Sequence, residues 1–125
     1  MERMLRHFYL PLGVMGGIFL LSSIPGDVHH GGLKILTDLN PQLQNLLHIP
    51  LFGLLQWLWL RAMDRIGRTG LKTVLLCFGI SFGYGIVDEF HQMFVPGRYA
   101  SLIDMVLNFT GVLVATLLFW LNDRI

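Results

Sequence analysis

The sequence predicts an all-α fold, a bundle of four transmembrane helices formed by a single domain that covers residues 1–125. The composition supports this fold class, because 54% of the residues are hydrophobic and only 14% are charged. A soluble domain usually carries about 25% charged residues, and the mean hydropathy of this chain is +0.60. Four apolar stretches provide the helices, at residues 8–24, 46–60, 73–87 and 105–121. Since a spanning helix needs about 20 residues, the second and third stretches reach full length only by including polar residues at one end.

The first apolar stretch could be a signal peptide, because Arg3 and Arg6 precede it. The expected cleavage site is poor, however, since the small residues at 22–23 are followed by Ile24 and Pro25. We therefore expect a retained helix that ends at Pro25.

The Lys and Arg residues of the connections predict the orientation of the bundle. Six basic residues lie in the amino terminus and the second connection, and two lie in the first and third connections: Arg3, Arg6, Arg61, Arg65, Arg68 and Lys72 against Lys34 and Arg98. Cytoplasmic loops are enriched in Lys and Arg. Both termini are therefore predicted to face the cytoplasm and residues 88–98 to face outward.

Other features exclude some functions. A net charge of +1 is too small for a nucleic-acid surface, and the single cysteine, Cys77, excludes an intrachain disulfide. The outer connection at residues 27–41 is predicted to hold a short helix on the membrane surface. His29 and His30 precede that helix, and because adjacent side chains point in different directions we interpret them as solvated loop residues rather than a metal site.

Polar side chains recur at helical spacing on three of the predicted helices. Residues three and four apart share one face: Ser81, Tyr84, Asp88 and His91 on the third, Ser101, Asp104, Asn108, Gly111 and Ala115 on the fourth, and Asn45, His48 and Gln56 on the second. Because lipid cannot satisfy polar groups, these faces are predicted to line one outward cavity. Small-residue motifs at 13/17, 79/83 and 81/85 predict close helix packing, within the chain or between chains.

These residues offer groups for anion binding and proton transfer. Arg98, after the Pro96-Gly97 turn, can donate two parallel hydrogen bonds to a phosphate or carboxylate. The candidate catalytic residues are Asp88, Glu89, His91, His48 and Asp104, and the candidate substrate-binding residues are Arg98, Gln92, Ser101, Asn108 and Tyr84. Ser101 as a nucleophile and a metal ion held by His48, Asp88 and His91 are alternatives, but no metal and no other cofactor is assigned.

The same residues could instead be structural. Asp88 could pair with Arg98, Asn108 could bond to a neighbouring backbone group, and Asp104 or Ser101 could cap the fourth helix. We favour a functional interpretation of the set, because ionisable groups in membrane helices are costly.

The block YGIVDEFHQMFVPGR at residues 84–98 resembles the VanZ-like family of small bacterial membrane proteins. The resemblance continues through residues 100–104 to Asn108 and Gly111, and it includes the SSIPG motif at 22–26 and His48. This chain departs from the family at Gln44 and Asn45, where Asp-Lys is usual. This chain therefore lacks the lysine that would supply a second cation for an anionic ligand.

The resemblance implies one VanZ-like integral membrane domain of the bacterial cytoplasmic membrane. The family's link to teicoplanin resistance implies a role in the cell envelope. Our leading hypothesis is an enzyme that acts on a phosphate-bearing envelope lipid, or a lipid-linked intermediate, at the outer leaflet. The alternatives are a lipid- or proton-binding or transport protein and a structural partner of an envelope complex. A homo-oligomer is compatible with each of them, and no nucleic-acid partner is expected.

Overall fold

The computed structural model describes residues 1–25 and 45–122, and the regular structure in these two segments is entirely helical. The chain begins with a short helix α1 (Glu2–Leu5), a 3-10 turn (Arg6–Phe8) and helix α2 (Tyr9–Ser22). Three longer helices follow: α3 (His48–Arg65), α4 (Leu71–Gln92) and α5 (Leu102–Asn122). The surface helix expected at residues 27–41, with His29 and His30, lies outside the described residues.

Within residues 1–25 and 45–122, three helical segments are long and apolar enough to cross a membrane: Glu2–Ser22, Leu71–Gln92 and Leu102–Asn122. Helix α3 is not among them, because its 18 residues include the charged Arg61, Asp64 and Arg65. Of the four predicted spanning helices, three are therefore confirmed as segments able to cross a membrane.

Helix α3 occupies the centre of the bundle. It contacts α2, α4 and α5, and packs most extensively against α5. Its Phe52 and Leu55 are almost fully buried, in one core with Cys77 of α4 and Val112 of α5. A central helix faces protein on several sides, so it can carry polar side chains that a lipid-facing helix could not.

Two glycines allow α3 and α5 to approach closely. A methyl group on Gly111 would collide with the backbone carbonyl of Ile49, and one on Gly53 would lie 3.2 Å from the carbonyl oxygen of Gly111. Only residues without a side chain permit this separation, and such contacts are common between membrane helices. The small residues of α3 and α5 thus set the short distance between these two helices, next to the polar residues.

The small-residue motifs of the first and third predicted helices behave differently. Within the described segments, no atom of another residue lies within 4 Å of a methyl group placed on Gly13, Gly17, Gly79 or Gly83. These glycines therefore mediate no close contact inside the described part of the chain. Ser81 and Gly85 are buried, as their motif predicts.

The connection from α4 to α5 returns the chain to the same end of the bundle. Gly97 has a φ of 73°, a conformation that favours glycine, and it follows Pro96 in the turn. The hydroxyl of Ser101 accepts a hydrogen bond from the backbone N–H of Asp104 at 3.4 Å. This bond and the carboxylate in the first turn stabilise the start of α5, and they place Asp104 beside the last turns of α4.

Candidate functional site

Most of the predicted site residues lie at one end of the bundle, where α2 and α4 end and α3 and α5 begin. Asp88, Glu89, Gln92, Asp104 and Asn108 are buried. None of the predicted catalytic residues is fully exposed, since His48 and His91 are partly buried. These side chains thus turn toward the inside of the bundle.

One group of side chains joins α3, α4 and α5. His48 Nδ1 lies 2.7 Å from Asn108 Oδ1, and His48 Nε2 lies 3.9 Å from Asp104 Oδ2. His48, Glu89 and Asp104 each offer an atom within 4.8 Å of those of the other two. We call these three residues the His–Glu–Asp cluster.

The carboxylate of Glu89 is held in place by a backbone hydrogen bond. Glu89 is fully buried, and its Oε2 accepts a hydrogen bond from the backbone N–H of Ser101 at 2.9 Å. Among the described residues, Glu89 Oε1 and Asp104 Oδ1 have no hydrogen-bond partner. Buried carboxylate oxygens without a partner are costly, and a proton, a water molecule or a cation would each satisfy these two atoms.

A cavity of about 130 Å³ opens beside the cluster. Its polar lining comes from Ser22, His48, Asp88, Gln92 and Arg98, and Gln92 Nε2 donates to Asp88 Oδ2 at 3.3 Å. Apolar residues of α2 and α3 form the rest of the lining: Ile18, Leu21, Ile24, Leu47, Leu51 and Phe52. The cavity therefore combines hydrogen-bonding groups with an apolar wall.

Arg98 makes a contact that the sequence did not predict. Its Nε donates a hydrogen bond to the backbone oxygen of Ile24 at 3.0 Å. Within residues 1–25 and 45–122, no ion pair joins it to Asp88 or Glu89. Arg98 thus attaches the turn before α5 to the end of α2, while its guanidinium lines the cavity.

Two predicted site residues face α2 rather than the cavity. His91 Nε2 lies 2.9 Å from the hydroxyl of Ser23, and its ring stacks on Phe19 with the centroids 4.6 Å apart. The hydroxyl of Tyr84 donates to the backbone oxygen of Met15. Both side chains hold α4 against α2, and His91 is not in the cluster that could bind a metal ion.

A second polar network lies deeper in the bundle. Gln56 is fully buried; its Oε1 accepts from the hydroxyl of Ser81 at 2.8 Å, and its Nε2 donates to Thr116 Oγ1 at 2.9 Å. Gln56 therefore links α3 to both α4 and α5. The helical spacing placed Gln56 and Ser81 on inward faces, but Thr116 was missed because it stands alone among apolar residues.

Ser22 and Ser23 were also missed as site residues, although the SSIPG motif that contains them was noticed. A larger cavity, of about 490 Å³, lies at the opposite end of α3, among residues such as Leu60, Val74 and Phe119. Most of its accessible lining is apolar, although Asp64 and Arg68 are among the lining residues. We therefore place the functional site at the smaller, polar cavity.

These features define a class of protein: a helical bundle, with helices able to span a membrane, that buries three acidic side chains together at one end. The chain belongs to the VanZ/LLP1 family, whose model matches residues 7–123. No curated protein and no solved structure matches it significantly.

Proposed function

We propose that this protein is a four-span membrane protein of the bacterial cell envelope whose cavity binds the phosphate-bearing headgroup of an anionic lipid or lipid-linked intermediate. The observation that carries the proposal is the lining of the cavity, where Arg98, His48 and Asp88 face Ile18, Leu51 and other apolar residues. An amphiphile matches such a lining, because its headgroup needs hydrogen-bond donors and its chains need an apolar path.

The size of the cavity indicates which part of the lipid would enter. A volume of about 130 Å³ corresponds to about four water molecules at about 30 Å³ each. A headgroup fits this space, and the acyl or isoprenoid chains would remain in the membrane beside α2 and α3.

Arg98 is the proposed anion anchor. Its Nε is engaged by Ile24, which fixes the plane of the guanidinium and leaves the two terminal amino groups to bind a phosphate as a fork. A lysine could not combine these two contacts, because its ammonium is a point charge on a flexible stem.

The charges of the site impose a condition on anion binding. Three carboxylates, those of Asp88, Glu89 and Asp104, are buried near a single guanidinium. Like charges repel strongly in a low-dielectric environment. An anionic headgroup is therefore acceptable only if some of these carboxylates are protonated or paired with a cation.

If the protein is an enzyme, His48 and Asp88 are the proposed proton-transfer groups, because both line the cavity. His91 was a candidate for this role, but its contacts with Ser23 and Phe19 make it a residue that positions α4. The proposed orientation, with both termini cytoplasmic, puts the site at the outer leaflet. A contribution to glycopeptide resistance is proposed on the family resemblance alone.

Non-covalent binding or transport is the second candidate function. One observation favours it: the hydroxyl of Ser101, the candidate nucleophile, accepts the N-terminal N–H of α5 and lies outside the cavity lining. At 125 residues without a repeated half, however, the chain is small for an alternating-access transporter.

Lipid binding by the purified protein tests the proposal. We expect native mass spectrometry in a neutral detergent to retain an isoprenoid phosphate or an anionic phospholipid, and not diacylglycerol. Arg98→Ala should weaken retention by about tenfold or more, since a hydrogen bond to a charged group contributes about 1.5–3 kcal/mol.

The matched control is Arg68→Ala, which removes an arginine from the opposite end of the bundle. Equal retention of anionic and neutral lipids, or equal losses in the two variants, would contradict the proposal. Chemical analysis of the lipid after incubation separates the two functions: a changed headgroup indicates an enzyme, and an unchanged one indicates binding or transport.

A further inference from the structure

The His–Glu–Asp cluster has the composition of a metal site. One imidazole and two carboxylates come from the start of α3, the end of α4 and the start of α5. Their nearest ligand atoms lie within 4.8 Å of one another. In a site with bonds of about 2.0–2.2 Å, ligand atoms are separated by about 3–4 Å, so small rotations of the side chains would close the cluster around one ion.

The hydrogen bond of His48 determines which of its nitrogens is available. With the Asn108 amide oriented so that Oδ1 accepts, the bond of 2.7 Å takes a proton on His48 Nδ1. In the neutral ring the lone pair is then on Nε2, the atom that faces Asp104 Oδ2 at 3.9 Å. Two acceptors that face each other across this distance are stabilised by a positive charge between them, either a bound cation or a second proton on the ring.

The orphaned carboxylate oxygens supply an independent observation. Glu89 is 0% exposed and Asp104 is 7% exposed. Within the described segments, Glu89 Oε1 and Asp104 Oδ1 accept no hydrogen bond. Glu89 Oε2 is already occupied by the Ser101 N–H, which leaves the other oxygen to bind a ligand.

We propose that His48, Glu89 and Asp104 bind one divalent transition-metal ion, with Asn108 and Ser101 as the groups that orient the ligands. Histidine ligands commonly donate their other N–H to such a partner, as His48 does to Asn108. Two carboxylates would balance the charge of the ion.

The donor set indicates the kind of metal. Imidazole favours Zn²⁺ and other transition metals, whereas Mg²⁺ and Ca²⁺ prefer oxygen ligands alone. Three protein ligands are the number found in Zn²⁺ sites that keep a position open. His48 also lines the cavity, which places one ligand of the proposed site at the cavity wall. Such an ion would meet the electrostatic condition described for an anionic headgroup, but its binding does not depend on that function.

Metal binding is tested directly on the whole protein. After chelation, equilibrium dialysis in detergent against Zn²⁺ and, separately, Mn²⁺, followed by elemental analysis, should give one ion per chain. Mg²⁺ at the same concentration should bind far more weakly. Glu89→Gln, Asp104→Asn and His48→Ala should each weaken Zn²⁺ binding by tenfold or more, and Asn108→Ala should weaken it by about 10–100-fold.

Two controls make the same chemical changes elsewhere: Asp64→Asn and His7→Ala should bind Zn²⁺ like the parent. Folding is followed by thermal unfolding. Without metal, Glu89→Gln and Asp104→Asn should unfold at or above the parent temperature, because they remove a buried orphaned charge. Added Zn²⁺ should raise the unfolding temperature of the parent but not of these variants.

Three results would overturn the proposal: no stoichiometric Zn²⁺ or Mn²⁺ binding by the parent, equal binding by Glu89→Gln and Asp104→Asn, or early unfolding of both variants without metal. The first would show that His48 and Asp104 form only an ion pair. The second would show binding at other residues. The third would show that the carboxylates stabilise the bundle by themselves. Since lipid binding is measured separately, failure of the metal site and failure of the proposed function are distinguishable.

Discussion

At the residue scale, the sequence identified the polar side chains of the site but not their partners. Spacings of three and four put Tyr84, Asp88 and His91 on one face of α4. That face is wide enough to meet two neighbours, so Asp88 lines the cavity while Tyr84 and His91 bind α2. Glu89 lies beside this face and is the most buried of the acids. Which neighbour a side chain meets depends on the arrangement of the bundle, which periodicity does not specify.

Arg98 carries the prediction at this scale. The Arg98→Lys variant keeps a positive charge but loses both the Nε donor to Ile24 and the planar fork. We expect anionic lipid to bind about tenfold more weakly and the unfolding temperature to fall slightly, because a net hydrogen bond is worth about 0.5–1.5 kcal/mol. Binding and thermal unfolding are measured on the same sample, with Arg68→Lys as the control. An Arg98→Lys protein that matches the parent in both would show that neither contact matters.

At the element scale, the sequence predicted the helices well and their packing less well. The apolar stretches at 73–87 and 105–121 fall within segments able to span a membrane, and most of the stretch at 8–24 lies in a third, Glu2–Ser22. Helix α3 begins near the expected residue but runs on to Arg65, past the end of its apolar stretch. Arg61 is accommodated because its guanidinium lies over the rings of Trp57 and Phe119, at 5.4 and 5.7 Å from their centroids. A hydropathy pattern cannot show that these rings cover Arg61, because Phe119 is far from it in sequence.

The close approach of α3 and α5 gives the prediction at this scale. We expect Gly111→Ala to destabilise the protein by about 1–3 kcal/mol, because the added methyl group would force the helices apart at Ile49. The control, Gly79→Ala, places a methyl group in open space on a helix, and should be neutral or stabilising by up to about 1 kcal/mol. Denaturant unfolding in detergent measures both variants. Similar stabilities for the two would show that the helices are not held this closely.

At the scale of the whole molecule, the buried acids Asp88, Glu89 and Asp104 lie at the end of the bundle opposite the basic residues 61–72. Sequence alone predicted this asymmetry, because polar residues 84–104 stand out between apolar stretches. It predicted the small-residue contacts less well: the glycines of α2 face away from the other described residues. A motif of two glycines specifies a face suited to close packing, but not whether another helix of the same chain occupies it.

The orientation of the bundle gives the prediction at this scale. In a Cys77→Ala background, we expect a membrane-impermeant thiol reagent to label Tyr99→Cys in intact spheroplasts. Arg68→Cys should be labelled only after permeabilisation, because basic loops stay in the cytoplasm. Tyr99 is 84% exposed, which makes it a better site than Gly97 with its positive φ. Labelling of both positions from one side would mean that α4 does not cross the membrane, and reversed labelling would invert the orientation.

The central claim is that the cavity beside Arg98 holds a phosphate-bearing lipid headgroup, and an experimental structure of the protein purified with an isoprenoid phosphate tests it most directly. The account predicts phosphate density within hydrogen-bond distance of the Arg98 guanidinium, between His48 and Asp88, with the lipid chain leaving past Leu21 and Leu51. A cavity filled by protein side chains, or a phosphate bound elsewhere on the bundle, would contradict it.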